Sequence, residues 1–241
     1  MFHPIDFAAW DRAEYYQHYM NNARCTYSIT ANVDITVLYH AAKARSLRLT
    51  PCLTWLSAHA VNSIVNLRFD RNSEGQVGWY DTTSPAYTVW NPETKLFSSL
   101  YTPYSESFRE FYEAMCRDIA LWGKKGGVQP QGNFPPNVHN FSSIPWLHYT
   151  EINLNLYTDG DFLPPIITVG QAAEQNGRLM LPVTLQIHHS VADGWHASEY
   201  FRILQETADT AEEWIDRCPL NKNKNRPAGP DDRCGAVFSA R

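Results

Sequence analysis

The chain lacks the features that mark several large protein classes. Its 241 residues contain only five cysteines, Cys25, Cys52, Cys116, Cys218 and Cys234. They are scattered, odd in number and include no C-x-x-C pair, so neither a disulfide framework nor a zinc ribbon is expected. Positive charge is in short supply: 20 Lys and Arg against 25 Asp and Glu give a net charge of −5. Nonspecific nucleic-acid binding needs a basic face, which this balance does not provide. No run approaches the ~18 apolar residues of a membrane helix. The opening "MFHPIDFAAWDR" has neither a basic n-region nor an apolar h-region, and no signal peptide is expected. There is no internal repeat. These absences lead us to expect a cytoplasmic protein with reduced thiols and with no nucleic-acid or membrane partner.

Hydrophobic residues make up 44% of the chain, ample for a packed core. Aromatics reach 13%, with eight Trp and thirteen Tyr; they suit a lined pocket or an interface as well as a plain core. Asp6 to Met20 reads as a first helix. "CTYSITANVDI" alternates as a strand, with Tyr27, Ile29, Ala31 and Val33 on one face. Asp34 or Thr36 caps a helix to about Arg45, and Thr50-Pro51 opens another. "QVGWYD", "AYTVW" and "LFSSLY" read as short strands. "SESFREFYEAMCRDIALWGKK" is an amphipathic helix capped by Ser105. Further strands are expected around His139–Ser143, Leu147–Leu156, Ile166–Gly170 and Leu179–His188, then a last helix from about Trp195 to Cys218. Helices interleave with strands without strict βαβ alternation. The expected architecture is α+β in two layers: a mixed sheet with helices packed on one side. Residues 1–219 form one domain in this reading. Residues 220–241 change composition sharply and read as a flexible tail or an expression remnant.

The chemistry concentrates in "LPVTLQIHHSVADGWHASEYF", Leu181 to Phe201. An apolar strand ends in His188-His189, and Asp193-Gly194 follows four residues later. Neighbouring side chains on a strand face opposite sides, so the two rings do not easily share one ligand. Three readings remain open. In the first, His188 is a hydrogen-bonded core residue, His189 lies at the surface and Asp193 caps the last helix. In the second, His188, His196 and Asp193 hold zinc, although they lack H-x-x-x-H spacing and bring no cysteine. In the third, a histidine at the strand end is a general base, which its ordinary pKa of ~6.5 allows near neutral pH.

The surrounding residues narrow the choice. "QIHHSVADGWH" at Gln186–His196 resembles the signature of the chloramphenicol acetyltransferase family, and other segments agree in order and spacing. These are "WDRAEYY", "RCTYSIT", "YTVWNPETKLFSSLY", "NFSSIPW" and "PPIITVG", so the resemblance covers roughly Asp6 to Asp216. It implies a CoA-dependent acyltransferase fold and acetyl transfer from acetyl-CoA to the primary (3-) hydroxyl of chloramphenicol, inactivating the antibiotic. Acetyl-CoA would be a co-substrate, with no permanently bound cofactor and no metal. By position the general base falls on His189, the oxyanion donor on Ser142, and a threonine acting through a water on Thr168. Asp193 would pair with Arg12 and brace the loop. The acceptor pocket falls on Tyr19, Cys25, Tyr27, Phe97, Phe134, Leu154, Phe162 and Ile166. The family's homotrimer places active sites between subunits, with His189 from one chain and much of the pocket, including Cys25 and Tyr27, from its neighbour.

Taken singly, these residues have plainer roles: Ser142 a turn serine before Pro145, Thr168 a strand residue, Arg12 a solvated helix residue, the pocket side chains core. The sequence also departs from the family. Trp195 stands where Phe or Tyr is usual, Ala172 where a coenzyme-contacting tyrosine is frequent, the tail after Leu220 is longer than the family norm, and the pocket carries changes such as Tyr for Phe. Two other functions compete: the same chemistry on a different hydroxyl acceptor, and a non-catalytic protein that binds a hydrophobic ligand. The retained set of His189, Ser142, Thr168, Asp193 and Arg12 argues against the last.

Overall fold

The fold follows from how strand alternation sorts side chains onto two faces of one sheet. The computed structural model describes residues 1–156 and 160–216; the expected tail at 220–241, the boundary at 219 and Cys218 lie outside them. The strands are β1 (Phe2–Pro4), β2 (Thr26–Asp34), β3 (Phe69–Arg71), β4 (Val77–Tyr80), β5 (Ser84–Asn91), β6 (Leu96–Tyr101), β7 (Val138–Ser143), β8 (Ile166–Val169), β9 (Ala173–Gln175) and β10 (Arg178–His188). The helices are α1 (Ala13–Gln17), α2 (Thr36–Ala44), α3 (Leu49–Asn62), α4 (Phe108–Trp122), α5 (Gly194–Asp209) and α6 (Ala211–Asp216). The main sheet has the order β2–β10–β8–β7–β5–β6, with β9 also paired to β10. Pairing is antiparallel except β5–β7 and β7–β8, so the sheet is mixed. A small second sheet has the order β1–β4–β3.

β10 organises the main sheet. Its Leu181, Val183, Leu185 and Ile187 alternate onto one face and are buried in the core with Val33, Ile167 and Phe141 of neighbouring strands. Leu53 and Leu56 of α3, Leu38 of α2 and Tyr200 and Leu204 of α5 close over that face, while Phe111 and Met115 of α4 extend the same core. Thr184, Gln186 and His188 point the other way. Because directly paired strand residues share a face, Thr168 and Ser142 lie on this polar side too, Thr168 opposite Thr184 and Ser142 opposite Thr168. Gly170 ends β8 where a Cβ would stand 2.8 Å from both Pro182 Cγ and Tyr149 Cε1, so only glycine fits.

Several expected elements are redrawn. Asp6–Met20 is not one helix: turns lead into the five-residue α1, followed by a π-helical turn at His18–Asn22. The cap of α4 is Ser107, whose Oγ accepts from Glu110 N; Ser105 Oγ instead accepts from Ser107 N and donates to Glu110. Leu147–Leu156 is not a strand; within it the backbone N–H and C=O of Leu154 pair with the Gln186 side chain instead of a neighbouring strand. β1, β3 and β9 were not anticipated. The last helix is broken at Thr210.

Candidate active site

The two adjacent histidines meet different surroundings because β10 ends between them. His188 is the last strand residue and is buried. Its Nε2 lies 3.0 Å from Gly160 O, and its Nδ1 accepts from the Ser190 backbone N–H at 3.2 Å and lies 2.7 Å from Ser190 Oγ. Both ring nitrogens are thus used by neutral partners, and burial lowers its pKa. His189 begins the turn. Its backbone N–H donates to Cys25 O at 2.9 Å. Its ring stacks on Tyr19, centroids 3.9 Å apart and planes 10° from parallel, and Tyr27 meets it edge-on at 5.1 Å. His189 Nδ1 is enclosed and has no hydrogen-bond partner among the described residues.

Arg12 fixes the turn that carries His189. It sits at the start of α1, and its guanidinium makes three bonds of 2.9 Å into five residues of chain: Nη2 to His189 O, Nε to Ser190 O and Nη1 to Asp193 Oδ2. This planar fork suits arginine and not lysine. Asp193 caps α5, accepting from Trp195 N at 3.2 Å, and its Oδ1 lies 2.8 Å from His196 Nδ1. Burial by itself would raise the Asp193 carboxyl, but the hydrogen bonds from Arg12 and His196 outweigh it and hold the pKa at about 2. Asp193 makes no hydrogen bond to the His189 ring, so it anchors backbone and is no relay. Burial, with the Asp193 charge adding, pushes the Tyr27 hydroxyl up to about 12, and Tyr27 Oη has no partner among the described residues.

The residues singled out by sequence fall into two groups. His189, Tyr19, Cys25 and Tyr27 form one corner with Arg12 and Asp193. Cys25 and Tyr27 therefore touch the His189 of their own chain, which corrects the division that placed them across an interface from it. Ser142 and Thr168 lie elsewhere on the sheet. From Ser142 to β10 is two strand spacings, about 10 Å, and from Thr184 to His189 is five residues, about 16 Å, a separation of roughly 19 Å in all. Ile166 is buried opposite Gln186 of β10. Leu154 is 42% exposed, with its backbone on Gln186. Phe162 is half-buried. Phe97, 54% exposed, lies on β6, and Phe134 packs on Tyr101 of the same strand at 5.1 Å. β6 is four strand spacings from β10, about 19 Å. One chain does not unite the two groups. Trp195 is exposed at the start of α5, and Ala172 is buried.

Among the described residues no group of three or more His, Cys, Asp or Glu is set to hold a metal. Among them, too, no helix is long and apolar enough to cross a membrane.

Comparison with known proteins gives consistent results. The family model for chloramphenicol acetyltransferase matches residues 1–205. The chloramphenicol acetyltransferase of Clostridium butyricum is 38% identical over 215 residues, covering 89% of this chain and 98% of the relative. That of Clostridium perfringens is 39% identical over 214 residues, with the same coverage. Among solved structures, a chloramphenicol acetyltransferase superposes with a TM-score of 0.78 at 24% identity, covering 86% of this chain and 99% of the other. The truncated catalytic core of the 2-oxoacid dehydrogenase multienzyme complex from Thermoplasma acidophilum reaches 0.62 at 14% identity, covering 88% and 97%. These structures share the fold.

Proposed function

Because the chain belongs to the chloramphenicol acetyltransferase family and is an acyltransferase, we propose that it moves the acetyl group of acetyl-CoA to the 3-hydroxyl of chloramphenicol. The observation that carries this reading is the His189 corner. A half-buried imidazole is held flat against Tyr19, on a turn that Arg12 ties down at three points. Such fixing is what a general base requires, since its lone pair must point at one proton. Because Nδ1 is enclosed, Nε2 is the nitrogen that serves as the base in this reading, with the ring proton on Nδ1.

The reaction then runs without an acyl-enzyme. His189 takes the proton from the acceptor hydroxyl as its oxygen attacks the thioester carbonyl. The tetrahedral oxyanion receives a hydrogen bond from Ser142 Oγ, with Thr168 beside it acting through water. Collapse breaks the C–S bond, and the departing CoA thiolate takes the proton back from His189. Base and oxyanion donor must both lie about 3 Å from one reacting centre, whereas one chain separates them by roughly 19 Å. The site is therefore assembled from two chains. His189, Tyr19, Cys25 and Tyr27 come from one copy, and Ser142, Thr168, Phe97 and Phe134 from the next. A homotrimer closes such a heterologous contact into a ring. The protein acts in the cytoplasm, where acetyl-CoA is available.

A second reading keeps the chemistry and changes the acceptor. The observation that favours it is Tyr27, a hydroxyl-bearing ring beside His189 whose Oη lacks a partner among the described residues. One assay tests both: thiol release from acetyl-CoA with chloramphenicol and a panel of other hydroxyl compounds. Release driven by chloramphenicol supports the first reading, and release driven only by another acceptor supports the second. Ligand binding with no release at all would overturn both in favour of a non-catalytic binder.

A further inference from the structure

Thr184, Gln186 and His188 are successive same-face residues of β10, and each holds one residue of the chain that runs between β7 and β8. Thr184 Oγ1 lies 3.2 Å from Tyr149 Oη, and that hydroxyl also donates to Thr168 O at 2.5 Å. His188 Nε2 lies 3.0 Å from Gly160 O. Between them, Gln186 treats Leu154 as a strand partner would. Its Oε1 accepts from Leu154 N at 2.9 Å and its Nε2 donates to Leu154 O at 2.8 Å. Oε1 also accepts from Ser28 Oγ at 3.2 Å, and Asn153 Nδ2 donates to the same Ser28 hydroxyl at 3.1 Å. Gln186 is only 4% exposed. A buried amide is kept only where its polar atoms are satisfied, and here both are spent on one residue's backbone and one serine.

We propose that Gln186 is a specificity-positioning residue. Its carboxamide sets the backbone of Leu154, and through it the wall that Leu154 presents to the acceptor. This rests on the reading of Leu154 as an acceptor-pocket residue. The local geometry explains why a side chain does the work of a strand. The segment Leu147–Leu156 has strand-like sequence but lies over the polar face of a sheet whose strands are already paired. An amide is the one side chain that reproduces the peptide's donor and acceptor together. Glutamate at this position keeps the acceptor but loses the donor, and methionine keeps the shape but loses both.

The test compares wild type, Gln186→Met, Gln186→Glu, Leu154→Ala and the double variant Gln186→Met/Leu154→Ala. Two readouts are used: hydrogen exchange at the Leu154 amide, and steady-state kinetics with chloramphenicol and acetyl-CoA. Gln186→Met should speed exchange at Leu154 while the β10 amides stay protected. It should raise the KM for chloramphenicol roughly tenfold, the worth of one or two buried hydrogen bonds. The turnover number and the KM for acetyl-CoA should change little, and Gln186→Glu should raise the KM for chloramphenicol at least as much, since it sets a buried carboxylate oxygen against the Leu154 carbonyl. In the double variant the KM should match that of Leu154→Ala, because the amide acts through that residue. Additive KM effects, or an unchanged KM alongside a lower melting temperature, would reduce Gln186 to a packing residue and overturn the proposal. If Gln186→Met does not fold, Gln186→Asn, which keeps a neutral amide but withdraws it from the Leu154 backbone, carries the same comparison. Wild type that turns over only another acceptor overturns the chloramphenicol reading, while Leu154 exchange and the KM for that acceptor still judge Gln186.

Discussion

The two faces of the main sheet differ in what they ask of a side chain. On the helix side Leu181, Val183, Leu185 and Ile187 need only be apolar and of suitable size. Truncating such a residue, Leu185 for instance, costs about 2–5 kcal/mol of stability. On the other side Thr184, Gln186 and His188 are equally buried, yet each is hydrogen-bonded to a named partner. The first face makes the domain cohere. The second holds the chain that borders the site and ends at the turn carrying His189. One residue apart in phase, the two faces of one strand thus do different work, packing against the helices on one side and holding the chain between β7 and β8 on the other, and the pair His188-His189 is where the strand gives way to the turn.

The sharpest way to break this comparison is to exchange the roles of the histidines. His189→Ala should lower turnover by roughly 10²–10⁴-fold, the worth of a positioned general base, with little change in melting temperature. His188→Ala should do the reverse, because its ring is spent on Gly160 and Ser190. Turnover of folded His189→Ala within about tenfold of wild type would remove the base from His189.

Next in size is Ser142→Ala, expected to cost roughly 10²–10³-fold in turnover, as for one oxyanion donor, with acceptor binding kept. It also tests the two-chain site. His189→Ala and Ser142→Ala are each nearly inactive, but unfolded and reassembled together they should recover about a quarter of wild-type activity at equal mixing, since each interface draws its two sides independently. Mixed assemblies that stay inactive, or sedimentation as a monomer only, would place both groups in one chain and contradict the roughly 19 Å separation.

How far the sequence speaks follows the same division. The helix face was legible: alternation in "CTYSITANVDI" and "RLMLPVTLQIH" gives β2 and β10 nearly to the residue. The polar face was less so. Leu147–Leu156 has strand-like residues, but what it pairs with is the Gln186 amide, a tertiary contact that no local pattern encodes. Asp6–Met20 has helical spacing, yet the chain turns until Arg12 before α1 begins, so that the guanidinium meets the 189–193 turn. The site residues were reached through family resemblance. Their grouping was not, because spacing along the chain says nothing about lateral distance across a sheet. One signal for Gln186 was available: a polar residue in the apolar run "TLQIH" needs a partner.

A smaller effect is expected from the loop brace. Arg12→Ala and Asp193→Asn should each lower activity and stability. In the double variant the effects should be non-additive by about 0.5–3 kcal/mol, as for groups in direct contact, given the 2.9 Å bond between them. Additivity in a urea-denaturation cycle would mean that Arg12 works only through the carbonyls of His189 and Ser190.

The smallest effect is a slope of stability with pH, and it too separates the faces. Burial lowers the pKa of His59, His139 and His188, that of His139 to about 3. Each therefore binds its proton less readily in the fold than in the unfolded chain, where it titrates at its ordinary value of ~6.5. The unfolded state then binds more protons, so this part of the stability is complete above pH ~6.5 and is lost as pH falls below it. Asp193 behaves differently in the same titration. Its carboxyl is held at about 2 in the fold, so its contribution persists down to its ordinary value of ~3.9 and disappears only as pH falls toward the folded value. Between pH 7 and 5 the histidines each add up to about 1.4 kcal/mol per pH unit to this slope, opposed by Asp70, whose carboxyl burial raises to about 6 so that it favours the fold as pH falls through that value. His139 is the cleanest probe. It is fully buried on β7, and its Nδ1 is 2.9 Å from Thr83 Oγ1. His139→Asn keeps a polar atom for Thr83 and removes the titration. The variant should be less stable than wild type at pH 7 and lose less on going to pH 5. Equal losses in urea midpoints at the two pH values would show that His139 does not titrate between states, and the slope would then belong to His188 and His59.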